Sequence, residues 1–251
     1  MKLIDRTFSI LEIFLEHNEA LNITDLIKLS GLSPAVTHRI VKALLKNGYL
    51  YQREPRGRYT LGVKLLNYAY AIRKGNLLSN ASLPFLVQLS KEADATSSIG
   101  ILDGKDILVL ERVITSHKLS IKGDAGKRAP LHSTALGKIF LAQMSKSELQ
   151  VLFQDSPLII KYTQNTITDY ASMVKNLKTL ENEGCTYDYE EMFLVNWSVA
   201  APVYNRLGEL EAGVAIMVPS ENITNKKIAD YTALTKLYAA KISQELAHRL
   251  E

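Results

Sequence analysis

The chain has 251 residues, 47% of them hydrophobic and 22% charged, with a formal net charge of +4. That balance excludes a disordered or fibrous polymer, and the length allows buried cores in two domains. A lone cysteine, Cys185, excludes an internal disulfide and fits a reducing, cytoplasmic setting in which the thiol is structural; Glu183, Asp188 and Glu190 nearby raise its pKa.

At the N-terminus Lys2, Asp5 and Arg6 interrupt the apolar residues, while Ile4, Phe8, Leu11 and Leu15 recur at helical spacing, so a helix is expected rather than a secretory leader. No apolar run reaches the length of a membrane span, and no membrane partner is expected.

Residues 22–61 hold the most specific local pattern. Leu26 and Leu29 lie on the apolar stripe of a helix that Gly31 ends, because glycine accepts the left-handed conformation of a helix C-cap. Ser33-Pro34 then starts a second helix: serine is a favoured N-cap, and proline loses nothing at the first helical position. At 100° per residue Val36, Thr37, Ile40, Val41 and Leu44 share one side, and Ala35, His38, Arg39, Lys42 and Lys46 share the other. One face packs and the opposite face is cationic.

Tyr49-Leu50-Tyr51 and Tyr59-Thr60-Leu61 read as strands around the turn residues Glu54-Pro55-Arg56-Gly57, with Arg53, Arg56 and Arg58 on the hairpin. Residues 1–65 hold ten Lys or Arg against six Asp or Glu, which accounts for the whole net charge; from Arg39 to Lys64 the ratio is seven to one. A basic stripe on a helix-turn-helix with a basic hairpin predicts duplex DNA as the partner, since neutralised phosphates release counterions.

Beyond the hairpin, 62–73 predicts a connecting helix that stops at Gly75-Asn76. Helices are expected at 83–92, 135–143, 146–153, 169–183 and 227–250, with strands at 97–103, 107–114, 199–204 and 210–218. The Asp103-Gly104 and Asn205-Arg206-Leu207-Gly208 turns make these strands antiparallel neighbours, which defines an α+β class. Histidines 17, 38, 117, 132 and 248 lack metal-ligand spacing. No phosphate-binding glycine motif occurs, the near miss being Gly123-Asp124-Ala125-Gly126-Lys127, so no metal or other cofactor is expected.

Three motifs carry a resemblance: GLSPAVTHRIVKALLKNGYL at 31–50 with RGRYTLG at 56–62, GKRAPLHSTALGKIFLA at 126–142, and EGCTYDYEEMFLVNWSVAAPVYNRLGELEAGVAI at 183–216. Together they resemble the IclR family of bacterial transcription regulators over essentially the whole chain. The resemblance implies a winged helix-turn-helix DNA-binding domain (1–62), a linker helix (63–76) and a GAF-like or profilin-like effector-binding domain (77–251). It implies a non-enzymatic, sequence-specific regulator, a repressor of a catabolic operon, assembled as a homodimer or homotetramer and controlled by a small organic or sugar acid.

In that scheme His38, Arg39 and Lys42 face the major groove, with Ser33 and Ala35 near the backbone or a thymine methyl, while Arg56 and Arg58 follow the minor groove or phosphates. Arg39, at the edge of its face, has an alternative bond back to its own domain. The effector cup is expected from Leu119, Lys122, Ala135, Leu136, Asp188, Ser198, Ala215 and Met217, with a carboxylate at the start of the helix near Ala135. Ser133-Thr134 reads as that helix's cap, and small Ala135 and Gly137 as room for a ligand.

The chain departs from the family pattern at Ala215 and Met217, where serines are usual, at Lys122, where an apolar residue is usual, and at Trp197, expected to face away from Ser198. Asp188 and Glu190 are expected on one strand face with Glu191 opposite, in a polar rather than catalytic role. No combination of nucleophile, base and orienting group stands out that would support a rival reading as an enzyme.

Overall fold

The computed structural model describes residues 2–17, 19–114, 125–154 and 159–249 and divides the chain into two compact units, 1–75 and 76–251. The first unit comprises α1 (Leu3–His17), α2 (Ile23–Ser30), α3 (Pro34–Lys46), β1 (Leu50–Gln52), β2 (Tyr59–Leu61) and α4 (Lys64–Gly75). Asn22 and Asp25 form a reciprocal capping box at the start of α2, and Gly31 ends that helix at φ 64°. Ile10, Phe14, Leu26, Ile40, Val41, Leu44 and Leu50 make one core beneath the three helices and the hairpin.

Strand β1 begins at Leu50, one residue later than expected. The Tyr49 N–H is committed to the carbonyl of Leu44 at 2.9 Å, which turns the chain out of α3, and its own carbonyl accepts the Gly62 N–H at 2.8 Å. A Cβ on Gly62 would stand 2.1 Å from the Gly48 carbonyl oxygen, so that close crossing requires glycine.

The second unit begins with α5 (Leu77–Ala93), six residues earlier than the sequence pattern suggests. Helix α4 ends at Gly75 as expected, and Asn76 has a second role: its side chain accepts the Ser79 N–H at 2.9 Å and caps α5. Pro84 lies inside the helix on an exposed face, where solvent can serve the carbonyl that lacks a proline N–H partner.

Strands β3 (Thr96–Asp103), β4 (Asp106–Val113), β5 (Arg128–Pro130), β6 (Thr186–Tyr189), β7 (Asn196–Tyr204) and β8 (Leu210–Pro219) form one antiparallel sheet in the order β5-β4-β3-β8-β7-β6. Strand β5 has too few residues to show a period, and β7 begins three residues before the expected Val199 because Asn196, Trp197 and Ser198 already pair with Pro219, Val218 and Met217 of β8. One face, including Ile99, Trp197, Val199, Val214 and Ile216, packs on α5 and the long helix α9 (Asn225–Arg249). The other carries Gly100, Ala200, Gly213 and Ala215 beneath α6 (Ala135–Leu141), flanked by α7 (Lys146–Gln154) and α8 (Tyr170–Glu183).

Candidate functional site

On α3 the buried residues are Thr37, Ile40, Val41 and Leu44, while Ala35, His38, Arg39, Lys42 and Lys46 are exposed. Arg39 makes no hydrogen bond or ion pair among the described residues. Ser33 starts the helix by backbone geometry, yet its hydroxyl makes no cap bond. The expected side-chain cap is therefore absent and the exposed hydroxyl is left for another acceptor or donor.

The wing tip is held by Gly57 N–H to the Glu54 carbonyl at 2.9 Å and by Gln52 Nε2 to the Gly57 carbonyl at 2.8 Å. Arg56 sits at the tip with φ 63°, an uncommon conformation for a residue with a side chain. Arg58 donates through Nη1 to the Ala20 carbonyl at 3.1 Å, so part of its guanidinium anchors the wing to its own domain.

In the second unit the small residues beneath α6 let that helix lie close to the sheet. Thr134, rather than Ser133, caps it: its hydroxyl accepts the Gly137 N–H at 3.0 Å and donates to the Pro130 carbonyl at 2.8 Å. A Cβ on Gly137 would lie 2.2 Å from the Leu131 carbonyl oxygen, so the space expected for a ligand is filled by the preceding loop. Leu136 is directed at Gly100 and Gly213 of the sheet, and the Ala135 carbonyl accepts the Thr186 hydroxyl at 2.6 Å.

The strand register places Asp188, Ser198, Met217 and Thr96 side by side on this face, and Thr186, Ala200, Ala215 and Ser98 in the adjacent row. Asp188, Ser198, Ala215 and Met217, which the sequence joins only by resemblance, thus share one surface with α6. Leu119 and Lys122 lie outside the described residues.

Asp188 is a hub: Oδ1 accepts the Glu191 N–H at 2.8 Å, and Oδ2 accepts Asn196 Nδ2 at 3.2 Å and, at the limit of 3.5 Å, the Ser198 hydroxyl. Burial pushes its carboxyl up to about 7, against the opposing effects of these donors and of Lys138. The expectation that Asp188 and Glu190 share a strand face is corrected. Strand β6 ends at Tyr189, Glu190 turns at φ 59° and reaches Ser220 and Asn165, and Glu191 returns toward Asp188.

Glu191 forms a buried ion pair with Lys138, whose Nζ also donates to the Tyr187 carbonyl at 2.9 Å. The Glu191 carbonyl accepts the Thr166 hydroxyl at 2.6 Å. The sequence singled out Glu191 only as the residue opposite Asp188 and Glu190, and did not single out Lys138 or the pair. The available signal was a single lysine inside the apolar run Ala135–Leu141, every residue of which is buried and which therefore demands a buried countercharge. His132, also missed, bonds through Nε2 to the Ile160 carbonyl at 2.8 Å and stacks on Tyr162, and burial lowers its pKa so the neutral ring persists.

Four buried polar atoms around α6 and this face of the sheet lack a hydrogen-bond partner among the described residues: Ser98 Oγ, Ser133 Oγ, Asn196 Oδ1 and Glu191 Oε2. Buried polar groups are normally paired, so such atoms mark places where a bound molecule can complete the bonding. No metal-binding group of His, Cys, Asp and Glu occurs among the described residues.

Residues 70–244 match the family model "Bacterial transcriptional regulator IclR C-terminal" and residues 3–54 match "IclR helix-turn-helix domain". The chain is 26% identical over 245 residues to the HTH-type transcriptional regulator XynR of Escherichia coli, covering 98% of the chain and 97% of XynR. It is 25% identical over 238 residues to the transcriptional repressor IclR of the same organism, covering 94% and 86%. An IclR homologue from Microbacterium hydrocarbonoxydans, solved with 4-hydroxybenzoate, shares the fold at a TM-score of 0.84 and 20% identity over the full length of both chains.

Proposed function

Given that the chain belongs to the IclR family of bacterial transcriptional regulators, a regulator and not an enzyme, we propose that it represses a catabolic operon under the control of a small carboxylic acid. The N-terminal unit, residues 1–62 with the linker helix 63–76, binds operator DNA, and 77–251 receives the effector. Ser33, Ala35, His38, Arg39 and Lys42 form the major-groove face, and Arg56 the outer wing contact. Arg58 has a divided role, holding the wing while presenting its remaining N–H groups to phosphate.

The observation that carries the effector half is the set of unpartnered buried polar atoms near the Asp188 hub. Ser198, Ala215 and Met217 form the adjoining floor and Ala135 and Leu136 the roof; Leu119 and Lys122, assigned to the cup by the family resemblance, lie outside the described residues. The 4-hydroxybenzoate complex of a homologue with this fold supports an acid as ligand. A ligand that prefers one arrangement of paired DNA-binding units shifts the population toward it, which is the coupling a regulator requires.

The exposed apolar residues Leu3, Ile4, Phe8 and Leu15 on α1 and Leu66, Tyr70 and Ile72 on α4 support assembly into a homodimer or homotetramer. Among the described residues no helix is long and apolar enough to cross a membrane, which fits the cytoplasmic setting we assign.

The test is thermal unfolding against a panel of keto, sugar and aromatic acids. A ligand at 100 times its Kd stabilises the native state by about 2.7 kcal/mol. A midpoint rise with one acid, lost in a folded Ser198→Trp variant, supports the cup; no rise across the panel rejects the acid effector.

A further inference from the structure

On the opposite side of the sheet from Asp188, at the β6 edge, lies a cleft of about 260 Å³ lined by Asn165, Tyr189, Glu190, Trp197, Ser220 and Ile223. Strand alternation separates it from the effector face, because Trp197 and Tyr189 point away from the side that Ser198 and Asp188 occupy. We propose that this cleft is a second ligand site, for a small organic cation of the ammonium type.

Three features carry the assignment. The wall is aromatic: Tyr189, 46% exposed, offers an accessible ring and meets Trp197 edge to face with centroids 6.2 Å apart, while the indole, only 1% exposed, lies behind it against Tyr187 and Tyr231 at 5.9 and 6.0 Å. Aromatic faces attract ammonium groups, most strongly when the cation is alkylated and desolvated. Second, Glu190 places a carboxylate at the cleft. It accepts the Ser220 hydroxyl and Asn165 Nδ2, which position it while leaving lone pairs for a cation.

Third, the local charge favours a cation. Burial is the main reason the Tyr189 and Tyr231 hydroxyls hold their protons, and the charges of Glu183 near Tyr189 and of Asp94 and Asp230 near Tyr231 act in the same direction. The backbone is shaped for the purpose at a cost: Glu190 at φ 59° and the β-branched Val195 at φ 57° bracket the turn, with the Glu190 N–H closed on the Asn196 carbonyl and the Ser220 N–H on the Val195 carbonyl. Strain of this kind is tolerated where the surroundings hold a working geometry. The volume lies just below the ~300–1,000 Å³ of drug-sized sites, which suits a compact ligand.

Trp197 is the chain's single tryptophan, so its emission reports this cleft directly. The full-length protein is titrated with choline and tetramethylammonium, and in parallel with 3,3-dimethylbutanol, the neutral shape-mimic of choline. A saturable change is expected with the two cations in the millimolar range, about tenfold weaker in Glu190→Gln and in Tyr189→Leu, each checked for an unchanged unfolding profile. The acid panel's midpoint shifts should persist in Glu190→Gln, which separates this site from the effector cup. The absence of saturable cation binding overturns the proposal, as does an equal response to 3,3-dimethylbutanol or unchanged cation affinity in folded Glu190→Gln.

Discussion

Asp188 is where burial and hydrogen bonding compete, and its pH behaviour follows from the sign of that competition. A carboxyl held up to about 7 in the folded state keeps its proton where an unfolded one, at an ordinary 3.8, has lost it. The native state therefore binds more protons between these values, and this group's contribution to stability falls as pH rises from about 4 to about 7. Denaturant unfolding at stepped pH should show that downward component in the parent and not in Asp188→Asn. The same proton matters for an anionic effector: ionised Asp188 repels it, so acid affinity measured by calorimetry should weaken as pH passes 7, with a flatter profile in Asp188→Asn. At the buried Lys138–Glu191 pair, Lys138→Met leaves a carboxylate without its countercharge and should cost about 3–5 kcal/mol in urea unfolding, more than Lys138→Met combined with Glu191→Leu.

Among the elements, α3 and the hairpin were almost fully legible, because a period of 3.6 with a cationic reverse face depends on neighbours within one helix. The structure bears out the division of buried and exposed residues on α3. What periodicity could not show was the anchoring of Arg58 to Ala20, a contact across 38 residues. Arg56→Ala should therefore weaken DNA binding about equally on all sequences and lower the salt slope by about 1, whereas Arg58→Ala should in addition loosen the wing and reduce thermal stability. His38→Ala should instead change the preference among operator sequences, read by competition between specific and random duplexes. Strand β5 and the break after Tyr189 were not legible because partners distant in sequence set them, whereas the early start of α5 rests on a local cap, Asn76 to the Ser79 N–H, that the apolar period did not reveal.

For the molecule as a whole, the unpartnered apolar residues of α1 and α4 predict that Phe8→Glu with Leu66→Glu shifts the protein toward monomer in light scattering and weakens binding to a two-site operator by more than tenfold, while thermal unfolding of the individual units changes little. Unchanged mass in solution would overturn that assignment. The sequence by itself determined the family, the α+β class, the helix-turn-helix and the charge that predicts DNA as partner, because these rest on local period, capping chemistry and motif. Only the tertiary structure decided that Lys138 and Glu191 form a buried pair beside Asp188, that Gly137 serves helix packing rather than ligand access, and that Trp197 and Glu190 share a cleft on the far side of the sheet. Those relations depend on strand order, register and chain reversals between residues tens of positions apart, where the cost of leaving a charge or polar atom unpaired in the core selects the partner.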